Sequence, residues 1–336
     1  MDKRHTENNK LYKEHENKVD NIKSTLKKEV TIIAEEYELT AESLNDLDDF
    51  VQDKANLFRY LRKNDYDLPT TLSHLLDVIR WRIRHDIHQI GLQKELLKDP
   101  LVYFHKRDKH NRPILIIHLS YLPKPQDLED CLMPLIIFVL ETARRLVWNI
   151  SKERIEQNMD DPMIFEIVLL VDFKNANSIP TDIGLFKSLI SLLRKYPGMV
   201  GTVHLINFSW IYQGLWQMCK IILSNEAKQK VNFPTLKELK NVIEPNDLLE
   251  EFGGKDEFKW SIEMDNYYCF KYDNTLSRHN SNSSIYYDAL SRSTSSFSLY
   301  NTPITSLTPV PSHSNLVMTP LTTNRAEKKR RERIEN

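Results

Sequence analysis

Residues 165–173 read FEIVLLVDF, an apolar run interrupted only by Glu166 and Asp172. A second such run, TVHLINF, covers residues 202–208, and a shorter one, VNFP, covers 231–234. Continuous apolar runs of this length are typical of strands in a parallel sheet that is covered on both faces. The sequence therefore predicts a buried sheet in this half of the chain.

Helical spacing of apolar residues separates these strands. We predict helices over 126–156, 184–196 and 210–224, because leucine, isoleucine and valine recur there at intervals of three and four. Upstream, VYFHKRDKHNRPILIIHLS (102–120) has the pattern of a strand, a polar turn and a second strand. Helices that alternate with buried strands indicate an α/β domain.

The N-terminal part of the chain is predicted to be helical. Leu72, Leu75 and Ile79 recur at helical spacing, and Asp67-Leu-Pro-Thr70 is a signal that ends one helix and starts the next. We therefore expect an all-helical cap before the α/β domain. The predicted divisions are a charged N-terminal extension (1–46), the helical cap (47–100), the α/β domain (101–260) and a tail (261–336).

Composition excludes several functional classes. The 46 lysines and arginines balance 47 acidic residues, so bulk binding to nucleic acid phosphates is not expected. With only 7 glycines, the chain has no clustered glycine loop of the kind that binds dinucleotides or nucleoside triphosphates. Three unclustered cysteines, Cys131, Cys219 and Cys269, suit a reducing, cytoplasmic compartment. We find no membrane-spanning segment, so any membrane contact is expected to be peripheral.

A search for catalytic residues gives little. Asp172 ends a predicted strand, where α/β proteins often place active-site carboxylates, but the sequence shows no partner base for it. His118 and His204 are interpreted as hydrogen-bonded core or pocket residues, and His85 and His88 as a solvated helix end. The protein is therefore not expected to be an enzyme or to need a cofactor or metal ion.

The segment 210–224 is apolar over an unusually wide face. Trp210, Leu215, Trp216, Met218 and Ile222 lie along it at helical spacing. Such a helix must bury its surface against something, and a lipid is one candidate. We predict that these residues line an apolar pocket together with strand residues Ile117, Leu169, Val171 and Leu205.

Several motifs in fixed order resemble the CRAL-TRIO lipid-binding domains, from about Leu57 to Gly254. Within that family the chain is most similar to the subgroup of motile sperm domain-containing protein 2 and related fungal proteins. The motifs are Phe58-Arg-Tyr-Leu-Arg-Lys-Asn-Asp-Tyr-Asp67, Arg80-Trp-Arg82, Asn111-Arg-Pro-Ile-Leu-Ile116, Val168-Leu-Leu-Val-Asp172, Lys195-Tyr-Pro197, Asn207-Phe-Ser-Trp-Ile211 and Leu248-Leu-Glu-Glu-Phe-Gly-Gly254.

The resemblance implies a mixed sheet floor under a helical gate, with one lipid between them. It also implies four headgroup positions, which phosphoinositide-transferring members fill with Arg, Glu, Thr and Lys. Here these positions are Asn64, Gly198, Ala227 and Lys230, so only the lysine is retained. Lipid binding is therefore expected without a preference for phosphatidylinositol.

The tail is rich in serine and threonine, with 20 in the 49 residues from 275 to 323, and is predicted to be disordered. Within it, Tyr286, Tyr287, Asp288 and Ala289 resemble the core of the FFAT motif, which binds MSP domains of the VAP class. Phosphorylation could supply the acidic flank that this motif normally has. The candidate phosphorylation sites are Ser281, Ser283, Ser284, Thr302, Thr308 and Thr319.

Three functions remain open from the sequence. The first is non-enzymatic binding and intermembrane transfer of a phospholipid or another bulky lipid. The second is a scaffold or tether at membrane contact sites, with a pocket that no longer transfers lipid. An enzyme is the third and least supported, because no catalytic group is apparent. The expected location is the cytoplasm, with recruitment to endoplasmic reticulum contact sites through the tail.

Overall fold

A computed structural model describes residues 3–123, 128–176, 183–265 and Tyr267. Every described residue lies in one compact unit, which spans residues 1–282. The FFAT-like residues, all six candidate phosphorylation sites and nearly all of the predicted tail fall outside the described residues.

Four helices form the N-terminal part: α1 (Lys3–Glu36), α2 (Ala41–Gln52), α3 (Lys54–Lys63) and α4 (Leu68–Arg84). The last three helices are capped at their N-termini, because the side chains of Thr40, Asp53 and Asp67 each accept a hydrogen bond from a backbone N–H of the first turn. The helix stop and restart at Asp67 is thus confirmed. The charged N-terminal residues form α1, which buries one stripe of apolar side chains: Val19, Ile22, Leu26, Val30 and Ile33.

A five-stranded sheet follows, in the spatial order β1-β2-β3-β4-β5. The first two strands form an antiparallel hairpin, and all other neighbours are parallel. The mixed sheet and the α/β class are therefore as predicted. The strands are β1 (Val102–Arg107), β2 (Pro113–His118), β3 (Ile167–Asp172), β4 (Val200–Ile206) and β5 (Val231–Asn232).

Helices connect the parallel strands. The crossovers contain α5 (Leu128–Glu156), α6 (Ile183–Leu193), and α7 (Gln213–Ile222) with α8 (Asn225–Gln229), and a short α9 (Leu236–Leu239) follows β5. No helix in the described ranges combines the length and apolar character needed to span a membrane. Short 3₁₀ turns complete the chain at Ile87–Gln89, Lys94–Leu97, Leu119–Tyr121, Trp210–Tyr212, Glu250–Phe252 and Ile262–Met264.

The two faces of the sheet differ in burial. On one face Ile116, Leu170 and Ile206 are almost fully buried. On the other face Leu169 and Val171 are only half-buried. The expectation of a sheet buried on both faces is therefore wrong for the carboxyl half of β3, because Leu169 and Val171 stay partly exposed on the second face.

The segment after the last strand covers the well-buried face. Phe252 stacks on His118, Phe258 stacks on His105, and Trp260 stacks on Tyr103. A close turn at Gly254 allows this path, because a side chain at that position would collide with the backbone carbonyl of Leu248. We call residues 239–260 the C-terminal segment.

A buried group of charges joins the cap helices to α5. Arg82 contacts Glu141 at 2.5 Å, and the guanidinium of Arg144 contacts Asp49 at 2.6 Å and Asp53 at 3.2 Å. We call this set the ionic seam; its members are Asp46, Asp49, Asp53, Arg82, Glu141, Arg144 and Arg145. The hydroxyl of Tyr196 also donates a hydrogen bond to Glu141, at 2.7 Å.

Candidate functional site

The predicted strand residues lie on one face of the sheet. The strand register places Ile117 beside Val171 and Val171 beside Leu205, and Leu169 belongs to the adjoining row. All four side chains are half-buried, whereas the opposite face of the same strands is buried. The carboxyl half of the central strands therefore presents an apolar surface that the described residues cover only in part.

The segment 210–222, which we call the gate segment, consists of the 3₁₀ turn Trp210–Tyr212 and helix α7. Four predicted pocket residues, Leu215, Trp216, Met218 and Ile222, are half-buried along it. No residue of α7 is fully buried. An apolar helix without a single buried side chain lacks the packing that normally stabilises an amphipathic helix in a folded protein.

Aromatic side chains attach the gate segment to the sheet. Tyr212 packs on Phe173 and donates hydrogen bonds to the carbonyls of Phe173 and Ala176, at 3.3 and 3.1 Å. Trp216 packs edge-on against Phe233. Phe173 and Phe233 follow Val171 and Val231 by two residues and continue the half-buried face. The gate segment therefore lies on the side of Ile117, Leu169, Val171 and Leu205.

We use the name groove for the half-buried apolar residues of the gate segment and the strands taken together: Ile117, Leu169, Val171, Leu205, Leu215, Trp216, Met218 and Ile222. The aromatic cluster at its end (Phe173, Phe208, Tyr212, Trp216 and Phe233) was not predicted from the sequence. The available signal was the aromatic residue that follows each polar strand end, Asp172-Phe173 and Asn207-Phe208. Trp210 was expected to line the pocket, but its side chain is 83% exposed and faces away from the protein, as do Ile211 (66%) and Ile221 (85%).

The four headgroup positions offer little to a charged ligand. The amide of Asn64 donates to the carbonyl of Tyr60 at 2.8 Å, and Ala227 lies in the first turn of α8. Lys230 forms an ion pair with Glu226 at 3.1 Å. The hydrogen bond and charge of Lys230 lower the pKa of Glu226, so this carboxylate stays ionised and neutralises the lysine at neutral pH.

The side chain of Arg62, which was not predicted as a site residue, lies beside one of these four positions, Gly198. Gly198 has a backbone φ of +66°, and a side chain placed there would lie 2.8 Å from Nη2 of Arg62. Arg62 also donates to Oδ1 of Asn8 in α1 at 2.6 Å. The space that a side chain at position 198 would fill is thus occupied by a guanidinium held from the N-terminal helix. Nothing in the sequence singled out Arg62, because it lies within the helical motif Phe58–Asp67 and its approach to Gly198 depends on the fold.

Two expectations about polar residues change. Asp172 does have a partner base, because its Oδ2 lies 3.4 Å from Nδ1 of His118. The sequence could not show this, since β2 and β3 become neighbours only in the folded sheet. His204 was expected to be hydrogen-bonded, but neither ring nitrogen has a partner among the described residues. Burial lowers the pKa of His204 to about 4, so this imidazole is neutral at physiological pH.

Comparison with known proteins identifies the domain. Residues 97–254 match the CRAL/TRIO domain family. The chain is 27% identical over 219 residues to CRAL-TRIO domain-containing protein C3H8.02 of Schizosaccharomyces pombe, covering 61% of this chain and 46% of that protein. It is 25% identical over 198 residues to Protein real-time of Aedes aegypti, covering 54% and 29%. The chain thus spans about half or less of the curated relatives it matches.

A solved structure described as "Crystal structure of Sfh5" aligns with a TM-score of 0.46 at 12% identity, covering 77% of this chain and 97% of that one. The finer similarity to the subgroup of motile sperm domain-containing protein 2 is not confirmed by these matches. The motif order, the mixed sheet and the matched residues agree on the family, and this protein carries a CRAL/TRIO domain over residues 97–254.

Proposed function

We propose that the protein binds one bulky lipid in the groove and transfers it between membranes without enzymatic chemistry. The observation that carries this proposal is the lack of any buried residue in α7, although this helix is rich in apolar side chains and Trp216 attaches it to the aromatic cluster beside the half-buried strand face. A lipid between these surfaces would complete their burial. The CRAL/TRIO family supports the same conclusion, because it is a family of lipid-binding domains.

Apolar contact alone can supply the binding free energy. Moving one methylene from water to an apolar site is worth about 0.8 kcal/mol, so even partly buried acyl chains hold a lipid firmly. Charge contributes less here, because Glu226 neutralises Lys230. We therefore propose a phospholipid or another bulky lipid chosen by its apolar part, with no marked preference for an inositol headgroup.

The outer side of the gate segment suits a membrane surface. Trp210, Ile211 and Ile221 project into solvent, and large exposed apolar side chains grouped on one segment are characteristic of interaction surfaces. Trp is favourable at a bilayer interface because its ring is apolar and its N–H remains hydrated. We propose that the protein works in the cytoplasm and touches membranes peripherally, gate segment first.

The test compares the two sides of α7. Leu215→Asp and Trp216→Asp place a charge inside the groove, and Gln217→Asp places the same charge on the exposed side. We expect the first two to lower vesicle-to-vesicle lipid transfer at least about tenfold, while the third stays near the unaltered protein. Native mass spectrometry of the purified chain should show one bound lipid that both groove variants lose.

Two results would contradict the proposal. Absence of any co-purified lipid, together with no transfer of any common lipid class, would remove both binding and transfer. A bound lipid that is never exchanged would remove transfer and favour the contact-site scaffold. Circular dichroism of each variant separates loss of the groove from loss of the fold.

We further propose that the tail docks the protein to an endoplasmic reticulum receptor with a VAP-type MSP domain. Support comes from the sequence alone, at Tyr286, Tyr287, Asp288 and Ala289. A peptide of residues 277–296 should bind such a domain weakly. The same peptide phosphorylated at Ser281, Ser283 and Ser284 should bind more tightly, because each phosphate adds about −1.5 to −2 charges. Tyr287→Ala should abolish the gain, and equal binding by all three peptides would contradict the proposal.

A further inference from the structure

Three potential metal ligands meet at the carboxyl edge of the sheet, on the face opposite the groove. His118 ends β2, Asp172 ends β3, and these two residues are register partners on neighbouring strands. Glu251 comes from the C-terminal segment, in the 3₁₀ turn Glu250–Phe252. One ligand atom from each residue lies within 4.8 Å of the other two. Three elements far apart in sequence thus bring one imidazole and two carboxylates together.

Neighbouring groups hold two of these side chains in fixed orientations. Oδ1 of Asp172 accepts hydrogen bonds from Nδ2 of Asn207 at 2.7 Å and from the backbone N–H of Lys174 at 2.9 Å. That arrangement directs Oδ2 toward Nδ1 of His118, 3.4 Å away. The imidazole stacks on the rings of Tyr103 and Phe252. Supporting contacts of this kind are what orient the ligands of a metal ion.

The charge at this point is unbalanced. Asp172 and Glu251 carry two negative charges, and in the described part of the chain neither forms an ion pair with a lysine or arginine. His118 is their shared partner. Its Nε2 lies 3.7 Å from Oε1 of Glu251 and 3.3 Å from the hydroxyl of Tyr103. A divalent cation would compensate the two carboxylates directly.

We propose that His118, Asp172 and Glu251 bind one divalent transition-metal ion, with Zn²⁺ as the best fit. Ligands about 2.0–2.1 Å from a tetrahedral zinc are about 3.3 Å apart, close to the observed separation of Nδ1 and Oδ2. When Nδ1 binds the metal, Nε2 keeps its proton and donates a hydrogen bond to the Tyr103 hydroxyl, 3.3 Å away. An imidazole with two carboxylates favours Zn²⁺ over Mg²⁺ or Ca²⁺, which prefer oxygen ligands alone.

The third ligand is free to complete the site. The side chain of Glu251 is 46% exposed, so its carboxylate can move toward Nδ1 without disturbing the core. Closure would link the C-terminal segment to the ends of β2 and β3, and a water molecule would fill the fourth position. Because a metal that binds only the folded protein stabilises it by mass action, Zn²⁺ should also raise the thermal unfolding temperature.

Calorimetric titration of the full chain with ZnCl₂, in a chelator-free buffer, tests the proposal. We expect one saturable site in the unaltered protein. Glu251→Gln should weaken it at least about tenfold, and His118→Gln should abolish it. Glu250→Gln, on the same exposed turn, is the matched control and should bind as the unaltered protein does. His105→Gln is a second control, which removes a histidine that has a single acidic partner, Asp256.

Two further results decide the outcome. Co²⁺ in place of Zn²⁺ should give the intense visible absorption of a tetrahedral site, and Glu251→Gln should reduce it. If the cysteines bound Zn²⁺ instead, the affinity for Zn²⁺ would be the same in every variant. The proposal is overturned if the unaltered protein shows no saturable Zn²⁺ binding, or if Glu251→Gln binds Zn²⁺ and shifts the unfolding temperature as the unaltered protein does.

Discussion

The ionic seam and the gate segment are built from opposite kinds of residue in opposite surroundings. In the seam, charged side chains such as Arg82 and Arg144 are fully buried, and each has carboxylate partners. In the gate segment, large apolar side chains such as Trp210 and Ile221 stand in solvent. The first arrangement stays together only while every charge is paired. The second arrangement leaves apolar surface area that a lipid or a membrane can contact.

The difference separates stability from function. Removing one member of a buried charge group leaves the others uncompensated in a low dielectric, which destabilises the fold strongly. Removing an exposed apolar side chain costs the fold little, because that side chain makes few contacts within the protein. Substitutions in the seam should therefore act on the free energy of unfolding, and substitutions in the gate segment on lipid and membrane binding.

The largest effect is expected from Arg144→Leu. This arginine is fully buried and contacts Asp49, Asp53 and Glu141, so its loss should lower the free energy of unfolding by about 3–5 kcal/mol. Arg80→Leu is the matched control, because Arg80 is exposed and its distant pair with Asp77 should contribute at most about 1 kcal/mol. Urea unfolding measures both, and equal losses would refute the distinction.

Acid should weaken the seam next. Burial alone would raise the pKa of Asp49 and of Glu141, but nearby arginines lower both pKa values well below the ordinary range. A lowered folded-state pKa gives stability that is present above about pH 4–5 and lost as the pH falls below it. Asp53 opposes this, because burial raises its pKa.

We therefore expect the free energy of unfolding to fall by about 2–3 kcal/mol between pH 5 and pH 3. Asp49→Asn should make that pH dependence shallower, because it removes one of the groups that titrate. Urea titrations at several pH values provide the measurement. The same slope in both proteins would show that Asp49 does not contribute.

The gate segment should respond in the opposite way. Trp210→Ser combined with Ile221→Asn should lower binding to phospholipid vesicles at least about tenfold, since burying each side chain in a membrane is worth about 1.5–3 kcal/mol. The free energy of unfolding should change by no more than about 0.5 kcal/mol. Ile32→Asn on α1 is the control, because Ile32 is also exposed but lies outside the gate segment. Vesicle flotation distinguishes them, and equal losses would point to nonspecific binding.

The smallest effect is expected at Lys230. Because Glu226 already neutralises this lysine, Lys230→Gln should change the ratio of phosphatidylinositol to phosphatidylcholine binding by less than about twofold. Glu226→Gln should shift that ratio further, because it leaves the lysine charge unpaired. A competition assay measures the ratio. A large loss of inositol preference in Lys230→Gln would show that the lysine binds the headgroup directly.

Local patterns predicted the elements well. The apolar runs at 165–173 and 202–208 became β3 and β4, and the helical spacing at 184–196 and 210–224 became α6 and the gate segment. Side chains two residues apart in a strand share a face whatever else the chain does. For that reason Leu169 and Val171 could be assigned to one face of β3 from the sequence, whereas their alignment with Ile117 and Leu205 depends on strand register. The two-residue β5 is shorter than its apolar pattern, and it ends where Phe233 turns to the aromatic cluster.

Contacts between distant elements were beyond the sequence. Nothing in the order of residues pairs Arg144 with Asp53, places Arg62 at Gly198, or brings Glu251 beside His118 and Asp172. The sequence by itself determined which segments are strands or helices and which of their faces are apolar, because periodicity is a local property. Only the tertiary structure decided which charges meet and which apolar face stays uncovered, because both depend on strand register and on how far each connection reaches.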